Sequence, residues 1–316
     1  MAQASERVVV TGAGGFIGSH LVRRLIAEGC RVVGIDSFVT GRPENVADVR
    51  DRMRFIEGDA GDEGLLADAL GGADFVLHQA AIPSVPRSVA DPLATNYSCV
   101  DVTLRLLLAA RAAGVKRVVV AGSSSAYGDM PQLPKREDMP ARPLSPYAVA
   151  KLAQEHYARA FSTCYGLDTV SLRYFNVFGP RQDPGSQYAA VIPKFIRMML
   201  AGERPTIYGD GTQSRDFTYV DNVVEANLLA ACAPGRLDGD TLNVACGERT
   251  DLNALVVKLN AILGTALEPV YTDPAPGDVP HSQADISRAQ ERIGYAPVVD
   301  LDAGLARTAA WLRAHT

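Results

Sequence analysis

The first twenty-six residues constrain this chain most. Arg7–Val10 is a short apolar run that ends in Thr11-Gly12-Ala13-Gly14-Gly15-Phe16-Ile17-Gly18, after which Leu21, Leu25 and Ile26 recur at helical spacing. That order reads as strand, glycine turn, helix. Glycines at 12, 15 and 18 permit a tight turn and a close approach of backbone to a pyrophosphate. The pyrophosphate then rests on N–H groups at the helix N-terminus, where Phe16 and Ile17 stand. Glycines also serve ordinary loops, but the strand before and the helix after are the context this motif requires.

A second strand, Arg31–Ile35, ends in Asp36, 24 positions after Gly12. This is near the spacing of a carboxylate that accepts hydrogen bonds from ribose hydroxyls and repels a 2′-phosphate. NAD is favoured over NADP, the competing reading being a solvated acid at a strand end. Met53–Glu57 followed by Asp59 and Ala60, and Asp74–His78 followed by Gln79, Ala80 and Ala81, repeat the pattern. Asp59 is within reach of an adenine edge, and the two alanines let backbone pack against a cofactor. Leu65, Leu66, Ala69 and Leu70 mark a crossover helix, and Asp91-Pro92 opens a long one through Asn96 to Ala113. A fifth strand, Arg117–Ala121, opens into Ser123-Ser124-Ser125, and a sixth, Thr169–Arg173, leads to Tyr174 and Asn176. Strands alternating with helices imply an α/β protein with a Rossmann-type doubly wound parallel sheet. Ligands bind beyond the carboxyl ends of such strands, so the glycine turn and the serine run face one crevice.

Beyond residue 176 the alternation stops. Helices are expected at Val191–Leu200, Val220 to about Ala231, Leu252–Leu263, and near Ile286–Ile293 and Asp302–His315, with strands at Pro205–Tyr208 and Thr241–Val244. Residues 1–175 should form a cofactor-binding domain to which segments near 219–247 return. Residues 176–316 should form mainly a smaller mixed α/β substrate domain, interleaved with the first.

Ser145-Pro146-Tyr147-Ala148-Val149-Ala150-Lys151 lies between the fifth and sixth strands. Ser145 can cap a helix with Pro146 in its first turn, which puts Tyr147 and Lys151, at i and i+4, on one face. A phenol with an ordinary pKa of about 10 is a poor base at neutral pH. One positive charge roughly 6 Å away, at an effective dielectric near 20, contributes about 2.8 kcal/mol, or about two pK units. Lys151 is thus expected to bring Tyr147 to about 8, and a second cation such as an oxidised nicotinamide to about 7, where a general base works best. Tyr-x-x-x-Lys also occurs with a merely solvated lysine, but the serine run aimed at the same crevice favours catalysis.

Composition narrows the partners. A net charge of −5 over 316 residues leaves no electrostatic footprint for nucleic acid, and no basic run suggests a membrane surface. Five scattered cysteines, without a Cys-x-x-Cys pair, and five dispersed histidines indicate neither a disulfide framework nor a metal site. With no signal-like start and no long apolar run, a cytoplasmic location is expected.

Gly12-Ala-Gly-Gly-Phe-Ile-Gly18, Asp36-Ser-Phe-Val-Thr-Gly41, His78-Gln-Ala-Ala81, Tyr147-x-x-x-Lys151 and Leu172-Arg-Tyr-Phe-Asn176 stand in the order seen in the extended short-chain dehydrogenase/reductase superfamily. The chain resembles its nucleotide-sugar 4-epimerases over nearly its whole length. Arg181-Gln-Asp-Pro, Tyr188-Ala-Ala-Val-Ile-Pro193, Ser214-Arg-Asp-Phe217 and Gly277-Asp-Val-Pro-His-Ser-Gln-Ala-Asp285 look most like UDP-N-acetylglucosamine 4-epimerases. The resemblance implies Tyr147 as base, Lys151 as its partner and a ribose ligand, and Ser123, four residues before Tyr127, as the nearby hydroxyl, a role that Ser124 and Ser125 are close enough to share. It implies Asn176, Arg215 and Asp278 as nucleotide contacts. Ser84, Arg87, Gln187, Ala190, Val191, Tyr208 and Ser282 are further substrate positions. Ala275 stands where relatives usually carry Arg.

The implied reaction is 4-epimerisation of a UDP-hexose through a 4-keto sugar. UDP-GlcNAc and UDP-GalNAc should be preferred to UDP-glucose and UDP-galactose because Ser282 leaves room for an acetamido group where relatives that exclude it carry tyrosine. A 4,6-dehydratase or decarboxylase of the same fold would need carboxylates where Ser124 and Ser125 stand. A non-catalytic NAD(H) sensor would often lack the Tyr or Lys retained here. The resemblance also implies a homodimer formed through a helix bundle.

Overall fold

The computed structural model describes residues 5–183, 190–274 and 280–315. Six strands arrive in the first half of the fold: β1 (Arg7–Thr11), β2 (Arg31–Asp36), β3 (Arg54–Glu57), β4 (Phe75–His78), β5 (Arg117–Ser123) and β6 (Thr169–Tyr174). The strand Asp240–Val244 joins beside β6, giving a seven-stranded sheet whose order across is Asp240–Val244, β6, β5, β4, β1, β2, β3. Every pairing in it is parallel. The order reverses between β1 and β4, so the topological switch point lies at the end of β1, where the glycine turn begins.

Successive residues of a strand point to opposite faces, and β1 shows the result. Val8 and Val10 belong to one core, with α1 (Phe16–Ala27) and the helix Val220–Cys232, while Val9 belongs to the other. That second core is shared with the helices Glu63–Leu70, Val102–Ala112 and Pro146–Tyr165. Both faces are covered, which is why these strands read as unbroken apolar runs. A third core, around Phe178, Phe195, Ile207, Phe217 and Leu255, forms the smaller lobe.

The long helix expected from Asp91 to Ala113 is continuous but not uniform. An α-turn at Pro92–Asn96 passes into a π-helical turn at Tyr97–Asp101 and then into the α-helix Val102–Ala112. Three small two-stranded sheets complete the lobe: Val177–Phe178 with Thr218–Tyr219, Ser214–Arg215 with Thr250–Asp251, and Thr206–Tyr208 with Val270–Thr272. All of these strands have two or three residues; the expected strand at Pro205–Tyr208 is among them, and the others are too short for an alternating pattern to show in the sequence.

Two buried ion pairs fasten the layers. Arg117 meets Asp168 at 2.6 Å and also donates to the carbonyls of Ala230, Ala231 and Ala233, at and just past the end of the helix Val220–Cys232, where backbone acceptors lack intrahelical partners. Arg173 on β6 meets Glu155 at 2.7 Å and lies 4.5 Å from the centre of the Tyr127 ring.

Candidate active site

The glycine turn is built to hold backbone close to something. Gly12 has φ +69°, and a Cβ there would lie 2.9 Å from the Ala80 nitrogen; one at Gly18 would lie 1.9 Å from the Gly12 oxygen. Neither position admits a side chain. Gly15 is the N-cap of α1, which has no side-chain cap and no acidic residue in its first turn. The N–H groups of Phe16, Ile17 and Gly18 therefore have no intrahelical acceptor and stand at the positive end of the helix dipole.

Asp36 is only 8% exposed rather than a solvated strand-end acid. Its two oxygens accept N–H bonds from Gly14 at 2.8 Å and Phe38 at 2.7 Å. Burial pushes its carboxyl up and these backbone donors pull it back. Each oxygen retains lone-pair capacity for a ribose hydroxyl. Asp59 accepts from Gly61 N–H at 2.8 Å and from the Tyr97 hydroxyl at 2.7 Å, and Ala60 is buried beside it. Asn96 is exposed, and its amide donates to Asp101 at 2.8 Å.

Ala80 N–H donates to the Thr11 hydroxyl at 3.2 Å, with half-buried Ala81 next along the chain. The Gln79 amide and the Asn227 amide both donate to the Tyr174 hydroxyl, at 3.1 and 2.9 Å. Asn227 was missed in the sequence. The available signal was an asparagine set, like Asn222, among apolar residues of the helix Val220–Cys232, and it is fully buried.

Ser145 does cap its helix, accepting from Ala148 N–H at 3.2 Å. The Ser123 hydroxyl is near enough to the Tyr147 phenol to favour its ionised form. Ser125 stands behind, its hydroxyl donating to Ser123 at 2.8 Å, while Ser124 opens the 3-10 turn Ser124–Tyr127. Lys151 is buried; its ammonium donates to the Ala121 carbonyl at 2.9 Å and lies 5.9 Å from the centre of the Tyr147 ring. The expected direction of the shift does not follow: burial pushes the Tyr147 phenol well up, and the Ser123 hydroxyl only partly offsets it. Burial lowers Lys151 as well, against the nearby Glu155 carboxylate. Spacing carries the attraction between the two groups but not the desolvation of either.

A cavity of about 340 Å³ opens in the smaller lobe. Asn176, Ala190, Val191, Tyr208 and Arg215, all singled out in the sequence, line it, as does Lys194, which was not. The Lys194 ammonium lies 5.8 Å from the centre of the Tyr208 ring. Asn176, at φ +36°, donates to the Asp216 carbonyl and to the Ser282 hydroxyl, both at 3.0 Å. Beneath them the buried Asp216 carboxylate accepts from Cys246, Gly247 and Ala284 N–H groups at 2.9, 3.0 and 3.1 Å. Ser84 instead caps the short helix Val85–Ala90 and accepts from Arg87 N–H at 3.3 Å; neither residue lines the cavity. Gln187, Asp278 and Ala275 lie outside the described residues. Among the described residues no cluster of three or more His, Cys, Asp or Glu is placed to hold a metal ion, and no helix is long and apolar enough to cross a membrane.

The family described as NAD dependent epimerase/dehydratase matches residues 8–245. This chain belongs to that family. It is 41% identical to a UDP-glucose 4-epimerase of Mycolicibacterium smegmatis, over 97% of this chain and 98% of the relative. A dTDP-glucose 4,6-dehydratase of Streptomyces griseus is 36% identical, over 98% of this chain and 95% of the relative. A UDP-N-acetylglucosamine 4-epimerase of Methanobrevibacter ruminantium, solved in complex with UDP-N-acetylmuramic acid, superposes with TM-score 0.95 at 42% identity over 100% of both chains. As a member of the epimerase/dehydratase family the protein is an NAD-dependent nucleotide-sugar enzyme. The side-chain-free glycine cradle, the uncapped start of α1 and the bonded Asp36 carboxylate fit a dinucleotide with a free ribose 2′-hydroxyl.

Proposed function

We propose that the protein is a UDP-hexose 4-epimerase that prefers UDP-GlcNAc and UDP-GalNAc and turns over UDP-glucose and UDP-galactose less efficiently. The observation that carries the reading is the trio at the carboxyl end of β5: Tyr147 beside the Ser123 hydroxyl, with the Lys151 ammonium held on the Ala121 carbonyl. NAD, when bound, supplies the redox chemistry at sugar C4 and a second positive charge. Tyr147 takes the 4-hydroxyl proton and later returns it to the epimeric oxygen, with Ser123 steering that oxygen onto the phenol. Because burial favours the neutral phenol, the Lys151 charge is what makes the phenolate accessible. Arg215 and Lys194 in the cavity wall, with the uncapped helix Val191–Leu200 starting beside them, suit the anionic nucleotide.

Similarity to a dehydratase raises a second reading, elimination of water across C5 and C6. That chemistry asks for a further acid and base, and the serine run offers Ser124 and Ser125 in those places. The homodimer and the cytoplasmic location expected above belong to this proposal too. Leu93 and Val149, on two neighbouring helices, are 81% and 52% exposed and suit a helix-bundle interface.

Incubating the protein with each UDP-sugar and separating products tests the reading. Epimeric pairs are expected, and a 4-keto-6-deoxy product would overturn it. Tyr147→Phe should lower kcat by about two to four powers of ten with KM little changed, as loss of a general base requires. Near-normal turnover in that variant would remove Tyr147 from the mechanism.

A further inference from the structure

His78 closes β4, opposite Thr11 of β1 and Val120 of β5, and is 1% exposed. No step described above uses it. Its Nδ1 lies 2.7 Å from the Thr11 hydroxyl and its Nε2 lies 2.9 Å from the Thr103 hydroxyl. Thr103 in turn donates to the Cys99 carbonyl in the π-helical turn, and receives the Gln154 amide from the helix that carries Tyr147 and Lys151. At the other end Thr11 receives Ala80 N–H, from the backbone that abuts Gly12.

The two ends fix the direction of every hydrogen bond between them. A carbonyl only accepts, so the Thr103 proton is committed to Cys99. Thr103 can then meet His78 only as an acceptor, which puts the imidazole proton on Nε2. Nδ1 is left bare and accepts the Thr11 proton, and Thr11 keeps a lone pair for Ala80 N–H. Every group on the path from Ala80 to Cys99 is used once in its proper sense. The imidazole is neutral: burial and the Lys151 charge hold its pKa down to about 3.

We propose that His78 is a positioning residue that, as the Nε2–H imidazole, ties the helix bearing Tyr147 and Lys151 to the backbone of the cofactor cradle. Gln154 lies three residues past Lys151, so the path runs from the base-bearing helix through Thr103, His78 and Thr11 to Ala80. A buried path in which every group from Ala80 to Cys99 is paired is stiff, although the Oε1 of Gln154 at its end has no partner among the described residues, and it sets the reach between phenol and dinucleotide. The kinetic consequence rests on Tyr147 as the base; the tautomer does not.

The test has two arms. In protein labelled with 15N-histidine, NMR at pH 7 should show the signal that disappears in His78→Gln as a neutral Nε2–H tautomer with an accepting Nδ1. An Nδ1–H tautomer or an imidazolium would overturn the proposal, whatever the variants do. In the second arm, His78→Gln keeps a donor near Thr103 and His78→Asn keeps an acceptor near Thr11. Each should lower kcat about 10-fold, and His78→Leu about 100-fold, with KM for the UDP-sugar within about two-fold. Rates are taken per NAD-loaded folded molecule. A normal rate for His78→Leu on that basis shows a merely structural histidine. Full turnover by Tyr147→Phe fails the base assignment instead.

Discussion

At Tyr147 two effects of opposite sign meet, and only one can be read from a string of letters. Residue type and the i, i+4 spacing show that a cation sits near a phenol; how much water the fold removes from both is a property of packing. The same limit applies to Asp36, legible as an acid at the right distance from the glycines but not as a buried one, and to Lys194, whose sequence surroundings are ordinary helix. Ser282 was legible by resemblance, and the structure adds its neighbour: its hydroxyl accepts from the Asn176 amide and its N–H donates to the Ser214 carbonyl at 3.0 Å. A ring placed there has little freedom to turn away. Ser282→Tyr should therefore lower kcat/KM for UDP-GalNAc roughly a hundred-fold, the effect of a clash of about 3 kcal/mol, and spare UDP-galactose. The ratio of the two specificity constants in wild type and variant is the measurement, and an unchanged ratio shows that Ser282 is not the gate.

Among the elements, the long ones were readable, as was the three-residue strand Thr206–Tyr208, and the two-residue strands were not. The strand, glycine turn and α1 follow from composition and period, whereas a π-helical turn at Tyr97–Asp101 leaves no mark on a helical pattern. The paired two-residue strands depend on tertiary contacts, above all on Asp216, which gathers N–H groups from the segments near Cys246 and Ala284. Burial raises this carboxyl from 3.8 to about 6, against the pull of its three backbone donors. The sign follows from linkage. The native state holds the proton more tightly than the unfolded chain, so the contribution to stability is full below 3.8 and lost as pH rises through about 6. Asp216→Asn cannot titrate. Its unfolding free energy relative to wild type should thus improve by about 3 kcal/mol between pH 3.5 and 7, read from denaturant melts at each pH. A difference that stays flat across that range would mean that Asp216 titrates in the native state as it does in the unfolded chain.

For the whole molecule, the doubly wound class was legible from alternation alone, but association was not, because an exposed apolar side chain is ordinary on any surface. Leu93 is the sharpest test of the proposed dimer. Sedimentation of the wild-type protein should give twice the chain mass of 33.6 kDa, and Leu93→Asp should shift it toward the single-chain value. A wild-type monomer at micromolar concentration would end that reading. The placement of the strand Asp240–Val244 beside β6 reaches beyond the finished protein. As the chain leaves the ribosome, β6 emerges with its outer backbone groups unpaired, and residues 175–239 follow before the strand that covers them. Through that interval the nascent sheet presents an open edge able to recruit a neighbouring chain. The part of the smaller lobe spliced between those two strands thus sets how long each newborn molecule stays vulnerable.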